Sequence, residues 1–516
     1  MTPSFDLTTE PWLPCETAQG ERVELSTEQA LTRAHELRAL TPESPIEIAP
    51  LFRHLLAVLH RALEGPADRR AWRRIYEAGA FDAAAVRAYL ERVRDRMDLL
   101  HPEHPFGQVP GLRERFGVTP IDEMTLERRG WGTARNLFEH RAPTHVPSMP
   151  LAAAARALVA YHAYDTGGLV RKPGEPTSAT AAPLLGGVTV LVRGETLFET
   201  LCLNLLVWDG EREPVPTHED DLPSWERPPL PAELPLKKEP AVLPTGWLHM
   251  LTWWSRRLEL VTEGDQVVGF VRCVGQGQSD ATPHEPAFMW RNDAKRGWRP
   301  IGVVPERAFW RDAHALFQGS REKSDHVERP KAIVQLSTPE VRGAVPAGRR
   351  FALELIGLAT NKSSIKSVLH ETLWASAPLL ADPDAGEVLR ESLRFAEEAV
   401  GALGRAIYLY ARLALSVGER EPDKKDIRGL VDALGARRRA WNALGRHFDA
   451  LLSELETDLD QAQARFADTC RAVVRDCFQT ATASGEQPRW LRARARAEVN
   501  LNRGLAQLRG PEEDAA

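Results

Sequence analysis

The sequence lacks long apolar runs, paired cysteines and the short motifs of common catalytic sites. No run of about 18 consecutive apolar residues occurs and no apolar leader opens the chain, so we expect neither a membrane-spanning nor a secreted protein. The 5 cysteines are scattered without a CxxC pair, which argues against a zinc site and against a disulfide framework. We therefore expect a cytoplasmic protein without a metal or other cofactor.

The charge balance excludes a protein that coats DNA through a strongly basic surface. Of the 516 residues, 27% are charged, and the formal net charge is −6. Any contact with nucleic acid must therefore come from local basic patches rather than from the overall field. The chain also exceeds the roughly 250–300 residues at which single cores stop growing, so we expect at least two domains.

The apolar pattern divides the chain into a mixed N-terminal part and a helical C-terminal part. Residues 26–98 are predicted to be helical, and short strand-like runs separated by Gly, Asp and Pro occur beyond residue 244. From about Asp384, four long amphipathic segments are joined by short breakers, which favours an antiparallel four-helix bundle. The predicted fold class is α+β: a large mixed N-terminal domain (1–383) with irregular sheets and helices, followed by a C-terminal four-helix bundle (384–516).

Two stretches show little periodicity. Residues 99–150 are rich in Pro, Gly, Arg and His and are interpreted as a long functional or packing loop, whereas the proline-rich stretch 211–244 predicts an extended surface connection.

The main alternative to a binding protein is a metal- or nucleotide-dependent enzyme that uses the His/Arg-rich loop at 99–145. His101 and His104 have i, i+3 spacing, but the flanking prolines oppose a helix, and no carboxylate cluster, HExxH or GxSxG motif supports catalysis.

The segment 165–206 carries the most distinctive pattern. Two glycine pairs, Gly167-Gly168 and Gly186-Gly187, flank a polar insert with basic residues, and the second pair precedes a predicted strand, Val188 to Val192. Glycine lets a backbone approach a ligand closely, so such a loop suits contact with a nucleic-acid backbone or a phosphate. Neither GxGxxG nor GxxxxGK[ST] is present, which weakens the phosphate interpretation. On spacing alone, a glycine-rich structural turn remains the alternative.

This block resembles the glycine loop, strand and following helix of the CasA-type large subunit of the type I-E CRISPR surveillance complex, Cascade. Each further match is short, but together they recur in order over nearly the whole chain, which makes the resemblance specific. The matching segments are FDLTTEPWLPC (Phe5 to Cys15), HPFGQ (His104 to Gln108), VTPIDEM (Val118 to Met124) and LELIGLATNKSSI (Leu353 to Ile365).

The resemblance implies a non-catalytic subunit of an antiviral, RNA-guided complex. In that family a glycine loop, a basic residue and a wedge hairpin read the protospacer-adjacent motif from the minor groove of double-stranded DNA and open the duplex for R-loop formation. The minor groove presents nearly the same hydrogen-bonding groups for several base pairs. It therefore suits a protein whose backbone approaches closely and which discriminates only weakly between sequences. The implied partners are the backbone subunits, the small subunits, the subunit at the guide-RNA 5′ end, the CRISPR guide RNA, double-stranded target DNA and the helicase-nuclease effector. A pure scaffold would instead be indicated by buried glycine and wedge loops.

The resemblance also identifies candidate site residues. Motif reading in the minor groove is expected from Thr166, Gly167 and Gly168, together with Arg272, the nearest match to the family's minor-groove lysine. The DNA wedge is expected at Asn361, Lys362 and Ser363, where Lys362 stands in place of the family's glutamine and so leaves the detailed readout open.

A third candidate set lies in a basic loop interleaved with aromatic residues. Such loops suit stacking on bases and contact with phosphates, and in the family this region docks on the guide RNA and the backbone subunits. A basic loop that packs against the body is the alternative. The expected docking residues are Arg128, Arg129, Trp131, Arg135, Asn136 and Phe138.

Overall fold

The computed structural model describes ten stretches of the chain. They are residues 3–128, 147–170, 177–208, 220–234, 239–304, 307–319, 327–361, 364–416, 421–484 and 487–508.

Helices occur throughout the described residues and are longest near the C-terminal end. Their bounds are α1 Thr27–Thr32, α2 Pro45–Ala62, α3 Arg69–Glu77, α4 Ala83–Val93, α5 Leu151–Tyr164, α6 Leu197–Asn204, α7 Trp247–Leu251, α8 Lys331–Leu336, α9 Pro339–Arg342, α10 Ala377–Ala381, α11 Pro383–Leu415, α12 Lys424–Leu434, α13 Ala436–Glu454, α14 Leu459–Thr482 and α15 Pro488–Ala506.

The strands are short and belong to several small sheets. Their bounds are β1 Leu13–Thr17, β2 Arg22–Leu25, β3 Leu37–Leu40, β4 Thr119–Pro120, β5 Met149–Pro150, β6 Gly168–Val170, β7 Thr177–Ala179, β8 Val188–Arg193, β9 Arg256–Glu263, β10 Gln266–Val274, β11 Trp290–Asp293, β12 Gly297–Pro300, β13 Val327–Glu328, β14 Arg350–Asn361 and β15 Ser364–Ser376.

Two of these sheets carry the candidate site. Strand β10 lies between β4 and β5 and also pairs antiparallel with β9 over most of its length. Strand β14 lies between β15 and β8, and its pairing with β8 runs from Ala352 to Gly357. Strands β6 and β7 form a separate two-stranded hairpin. The predicted α+β class, with irregular sheets and a helical C-terminal region, is confirmed.

The chain forms two compact units whose division differs from the predicted one at 383/384. The first unit contains residues 1–307 and 326–372, and the second contains 308–325 and 373–516. The second unit takes in this segment because its described part, residues 308–319, packs on the long helices. The ring of Trp310 lies 5.3 Å from that of Phe448, and a Cβ on Gly386 of α11 would stand only 1.9 Å from the carbonyl oxygen of Gln318.

The helical unit also refines the predicted four segments. The first predicted segment corresponds to α11, which is N-capped by the side chain of Asp382. The second predicted segment is two helices, α12 and α13, because Gly435 between them has a left-handed backbone with φ 58°. Glycine adopts that conformation without steric cost and commonly ends a helix in this way.

The proline-rich stretch 211–244 is not simply a surface connection where the structure describes it. Trp225 is 2% exposed and donates a hydrogen bond from Nε1 to the Tyr89 hydroxyl at 2.8 Å. The carboxylate of Asp221 is also buried and accepts bonds from the backbone nitrogens of Leu248 and His249 at 3.0 and 3.1 Å. These contacts cap α7 and hold the segment in the core, which composition alone does not reveal.

Candidate nucleic-acid interface

The glycine loop begins where α5 ends. Asp165 is the C-terminal cap of α5, and the chain then passes through Thr166 and Gly167 into β6. Gly167 and Gly168 have φ angles of 70° and 89°, in the left-handed region that favours glycine. Gly168 faces Ala179 across the hairpin of β6 and β7. The two glycines therefore make the sharp reversal from helix to hairpin.

Gly167 is buried. A Cβ at this position would stand 2.6 Å from the carbonyl oxygen of Ala179 and 2.9 Å from that of Thr180. Thr166 is also buried, at 7% exposure, whereas Gly168 is partly exposed and Leu169 is 73% exposed. The fold itself therefore requires Gly167, and the accessible part of this loop starts at Gly168.

Arg272 lies against this loop. Its Nη1 donates to the Tyr161 hydroxyl at 2.9 Å and to Asp165 Oδ1 at 3.3 Å, and its Nη2 donates to the carbonyl oxygen of Leu169 at 3.3 Å. The side chain is 20% exposed. The structure thus brings together two candidates, Arg272 and the Thr166–Gly168 loop, that are far apart in the sequence.

A second arginine fixes the base of the loop. Arg256 is 2% exposed at its side chain and donates from Nε to Asp165 Oδ2 at 2.6 Å and from Nη2 to the carbonyl oxygen of Thr180 at 2.5 Å. Asp165 itself is fully buried. Buried charges are tolerated when they are paired and hydrogen-bonded in this way. Sequence reasoning did not identify Asp165, Tyr161 or Arg256, because their relation to Arg272 exists only in three dimensions.

The second glycine pair borders the wedge hairpin. Gly186 is exposed with φ 108°, and a Cβ there would meet nothing within 4 Å. Gly187 packs on the ring of Phe288, and a Cβ on Gly357 of β14 would stand 3.1 Å from the Gly187 carbonyl oxygen. Of the two pairs, the second thus offers the more open glycine backbone. The resemblance does not assign a role to Gly186 or Gly187.

The wedge hairpin extends beyond this point. Pairing of β14 with β8 ends at Gly357, and β14 continues to Asn361, roughly 10 to 13 Å further along the strand at about 3.3 Å per residue. Thr360 and Asn361 are exposed at the end of β14, in the segment where the wedge was predicted. Lys362 and Ser363 lie outside the described residues.

The predicted docking loop is mostly outside the described residues. Arg128 ends a short 3-10 helix, Leu126–Arg128, which follows another that buries Ile121 and Met124. The remaining members of the set, Arg129, Trp131, Arg135, Asn136 and Phe138, are not in the described stretches. The docking assignment stays a prediction.

His101 and His104, on which the enzyme alternative depends, contact each other and the neighbouring backbone. The rings of His101 and His104 stack with centroids 5.6 Å apart, and His101 Nδ1 accepts bonds from the backbone nitrogens of Glu103 and His104. Within the described stretches, no group of three or more His, Cys, Asp or Glu side chains could hold a metal ion. All five cysteines are buried, and burial raises the pKa of Cys15 and Cys470 to about 12.

A cavity of about 40 Å³ in the first unit is lined by histidines and aromatic residues. Burial lowers the pKa of His54 to about 3 and that of His162 to about 4, so both imidazoles are neutral. Arg53 reaches this cavity but pairs with Glu285 at 2.8 Å and with two backbone carbonyls. The lining residues described include no carboxylate, so this cavity shows no arrangement that favours the enzyme alternative.

Comparison with known proteins decides the family. The model of the family described as CRISPR-associated protein Cse1 matches residues 6–477. This chain belongs to the Cse1 family. It is 33% identical over 527 aligned residues to the CRISPR-associated protein CasA/Cse1 of Thermus thermophilus, covering 98% of both chains.

Solved structures agree with membership of the Cse1 family. The crystal structure of Thermus thermophilus CasA matches with a TM-score of 0.83 and 30% identity, over 98% of this chain and 100% of that one. A chain in a CRISPR RNA-guided surveillance complex matches with a TM-score of 0.71 and 22% identity, over 97% of this chain and 100% of that one, which is a likeness of fold. Among the described helices of this Cse1-family chain, none is long and apolar enough to cross a membrane.

Proposed function

We propose that this chain is the non-catalytic large subunit of an RNA-guided surveillance complex that recognises a short motif in double-stranded DNA. Membership of the Cse1 family and the fold shared with a chain of a CRISPR RNA-guided surveillance complex support this role. The chain then acts in antiviral defence with backbone subunits, small subunits, the subunit at the guide-RNA 5′ end and the guide RNA. Thr166 and Gly167 are buried, as a pure scaffold would require, but Leu169 in the same loop and Thr360 and Asn361 near the wedge are exposed. The described residues therefore favour a DNA contact over a pure scaffold.

The single observation that carries motif reading is the apposition of Arg272 and the glycine loop. A cationic side chain with 20% exposure lies beside the partly exposed Gly168 and the exposed Leu169. Arginine and closely approaching backbone are suited to a narrow groove whose acceptor pattern is degenerate. We include the open backbone at Gly186 in the same interface, since it adjoins the strand that leads to the wedge tip.

Strand opening is assigned to the hairpin of β14 and β15. We assign to the wedge the exposed residues Thr360 and Asn361, together with Lys362 and Ser363, which follow them in the sequence, and expect it to occupy the space under the first separated base pair. Unstacking a base step costs a few kcal/mol, which contacts made by the bent or opened duplex must offset. The opened target then pairs with guide RNA and is presented to the helicase-nuclease effector.

The test uses the assembled complex with guide RNA and a library of duplexes with randomised motifs. Arg272→Gln should lower the ratio of motif to non-motif binding by roughly ten- to a hundredfold, the loss expected for one hydrogen bond from a charged group. Arg22→Gln, at an exposed arginine of β2, is the matched control and should leave the ratio unchanged. Equal loss on motif and non-motif duplexes would contradict motif reading by Arg272.

A further inference from the structure

Two arginines lie diagonally on one face of the hairpin of β9 and β10. Arg272 faces Leu258 across the pair, and Val274 faces Arg256, so the two guanidinium groups occupy neighbouring positions on the same face. Like charges at such positions repel and destabilise a hairpin unless an anion lies between them. The arrangement therefore depends on a third residue that balances these charges.

Asp165 supplies that anion. Its Oδ2 accepts from Arg256 and its Oδ1 from Arg272, and the carboxylate is fully buried. Among the described residues, two cations share this one carboxylate, so their summed charge with it is one positive charge. Because Arg256 is 2% exposed and Arg272 is 20% exposed at the side chain, only Arg272 can present that charge to a partner.

Tyr161 sets the orientation of the same guanidinium group. Its hydroxyl accepts from Arg272 Nη1 at 2.9 Å, and its ring packs edge to face on Phe270, with centroids 5.6 Å apart. Tyr161 is fully buried, so this acceptor is held rigidly by α5 and β10. The carbonyl oxygen of Leu169 accepts from Nη2 of the same group. Arg272 is therefore held by acceptors on α5, on the C-terminal cap of α5 and on β6.

We propose that Asp165 and Tyr161 are positioning residues that aim Arg272 at DNA and couple its orientation to the glycine loop. Both are buried and act through Arg272 rather than by touching DNA. Asp165 joins the arginine to the loop directly, because its backbone oxygen also accepts from the nitrogen of Ala182, where the chain returns from the hairpin. This inference rests on the proposed function, in which Arg272 contacts the motif.

The main variant is Tyr161→Phe, which removes one hydroxyl and keeps the ring. Its matched control is Tyr164→Phe on the same helix, where an equally buried hydroxyl pairs with Thr189 Oγ1 at 3.5 Å. In the assembled complex, Tyr161→Phe should lower the ratio of motif to non-motif binding by roughly three- to tenfold. Tyr164→Phe should leave it unchanged. An equal effect of the two variants would overturn the proposal.

Coupling to Arg272 separates positioning from a general loss of stability. Once Arg272 is glutamine, Tyr161→Phe should cause no further loss of motif discrimination, since residues that act through one group are non-additive. Independent losses that multiply would overturn the proposal. Asp165→Asn, which keeps the shape and removes the charge, should lower the ratio in the same way, provided that its thermal unfolding shows a folded chain.

Hydrogen exchange of the free chain distinguishes this inference from the proposed function. Tyr161→Phe and Arg272→Gln should both speed amide exchange at residues 166–170, whereas Tyr164→Phe should not. If Arg272→Gln speeds amide exchange but leaves the ratio of motif to non-motif binding unchanged, Arg272 does not read the motif. The positioning of Arg272 by Tyr161 would then still stand. Unchanged exchange in Tyr161→Phe would refute the positioning itself, whatever Arg272 does at DNA.

Discussion

Gln108 accepts a hydrogen bond on Oε1 from the backbone nitrogen of Leu260, at 2.8 Å, while its own Nε2 donates to the carbonyl oxygen of Leu99 at 2.8 Å. The side chain is buried and connects β9 to the segment that follows α4. The two polar atoms of this side chain therefore provide hydrogen-bond partners for two buried backbone groups, the N–H of Leu260 and the carbonyl of Leu99. The HPFGQ segment, which resembled a family motif, thus has a structural role in this chain.

Gln108→Ala should destabilise the chain. Removing the side chain leaves a buried N–H and a buried carbonyl without these partners, at a cost of about 1–3 kcal/mol for each group left unsatisfied. Urea denaturation of the variant should show a lower midpoint with an unchanged slope. Gln19→Ala, at an exposed glutamine in the same unit, is the control and should have no measurable effect.

Gly167→Ala should destabilise the chain more than Gly186→Ala. At Gly167 the new Cβ meets backbone at 2.6 Å, so the variant should lose stability and loop structure, measured as a lower melting temperature. At Gly186 the Cβ enters open space, so stability should fall only by the strain of positive φ, about 1–3 kcal/mol. The Gly186 variant should lose more free energy of motif-dependent DNA binding than free energy of unfolding. Retention of full binding would remove Gly186 from the interface.

Asn361→Ala combined with Lys362→Ala should impair strand opening more than initial duplex binding. Initial contact depends mainly on backbone electrostatics, whereas opening needs a group that occupies the vacated stack. R-loop formation on a fully matched target should therefore drop. A mismatched bubble next to the motif should restore it, because the unstacking cost is already met. Failure of the bubble to rescue would assign these residues to motif reading or folding.

Stability of the first unit should fall on mild acidification. Burial lowers the pKa of His54 to about 3, below its ordinary value of 6.5, so the unfolded chain binds protons first as the pH falls. The stability contribution of neutral His54 is complete above about pH 6.5 and is lost progressively toward about pH 3. His54→Leu should reduce the loss of unfolding free energy between about pH 7 and pH 5 by about 2 kcal/mol.

The control for this pH effect is His35→Leu, since the His35 side chain is 43% exposed. Urea denaturation at both pH values measures the difference. An unchanged pH dependence in His54→Leu would show that other groups set the acid sensitivity of the chain.

Local elements were predictable because their signals are local. The strand predicted at Val188 to Val192 is β8, and the turn and helix that follow it are present, with Thr196 as the N-cap of α6. The alanine-rich segment from Leu151 to Tyr164 is helical, in keeping with the high helix propensity of alanine. Periodicity and capping act over a few residues, so the sequence displays them directly.

The surroundings of the candidate residues were not predictable in the same way. Burial of Gly167 results from the return of the chain at Ala179 and Thr180, which the sequence around the glycine pair does not indicate. The contact of Arg272 with Asp165 joins residues separated by 107 positions. Such contacts depend on the tertiary arrangement of α5 with β10, which short-range patterns do not encode. The roles assigned to these residues at DNA stay predictions.

The packing of Trp310 determines how the chain can be divided experimentally. Its ring contacts those of Trp441 and Phe448, at 5.7 and 5.3 Å, although more than a hundred residues separate them in sequence. A fragment that begins at residue 373 or 384 would omit this tryptophan and leave an apolar gap on α13. Autonomous expression of the helical unit should therefore need residues 308–319 supplied by a linker or in trans.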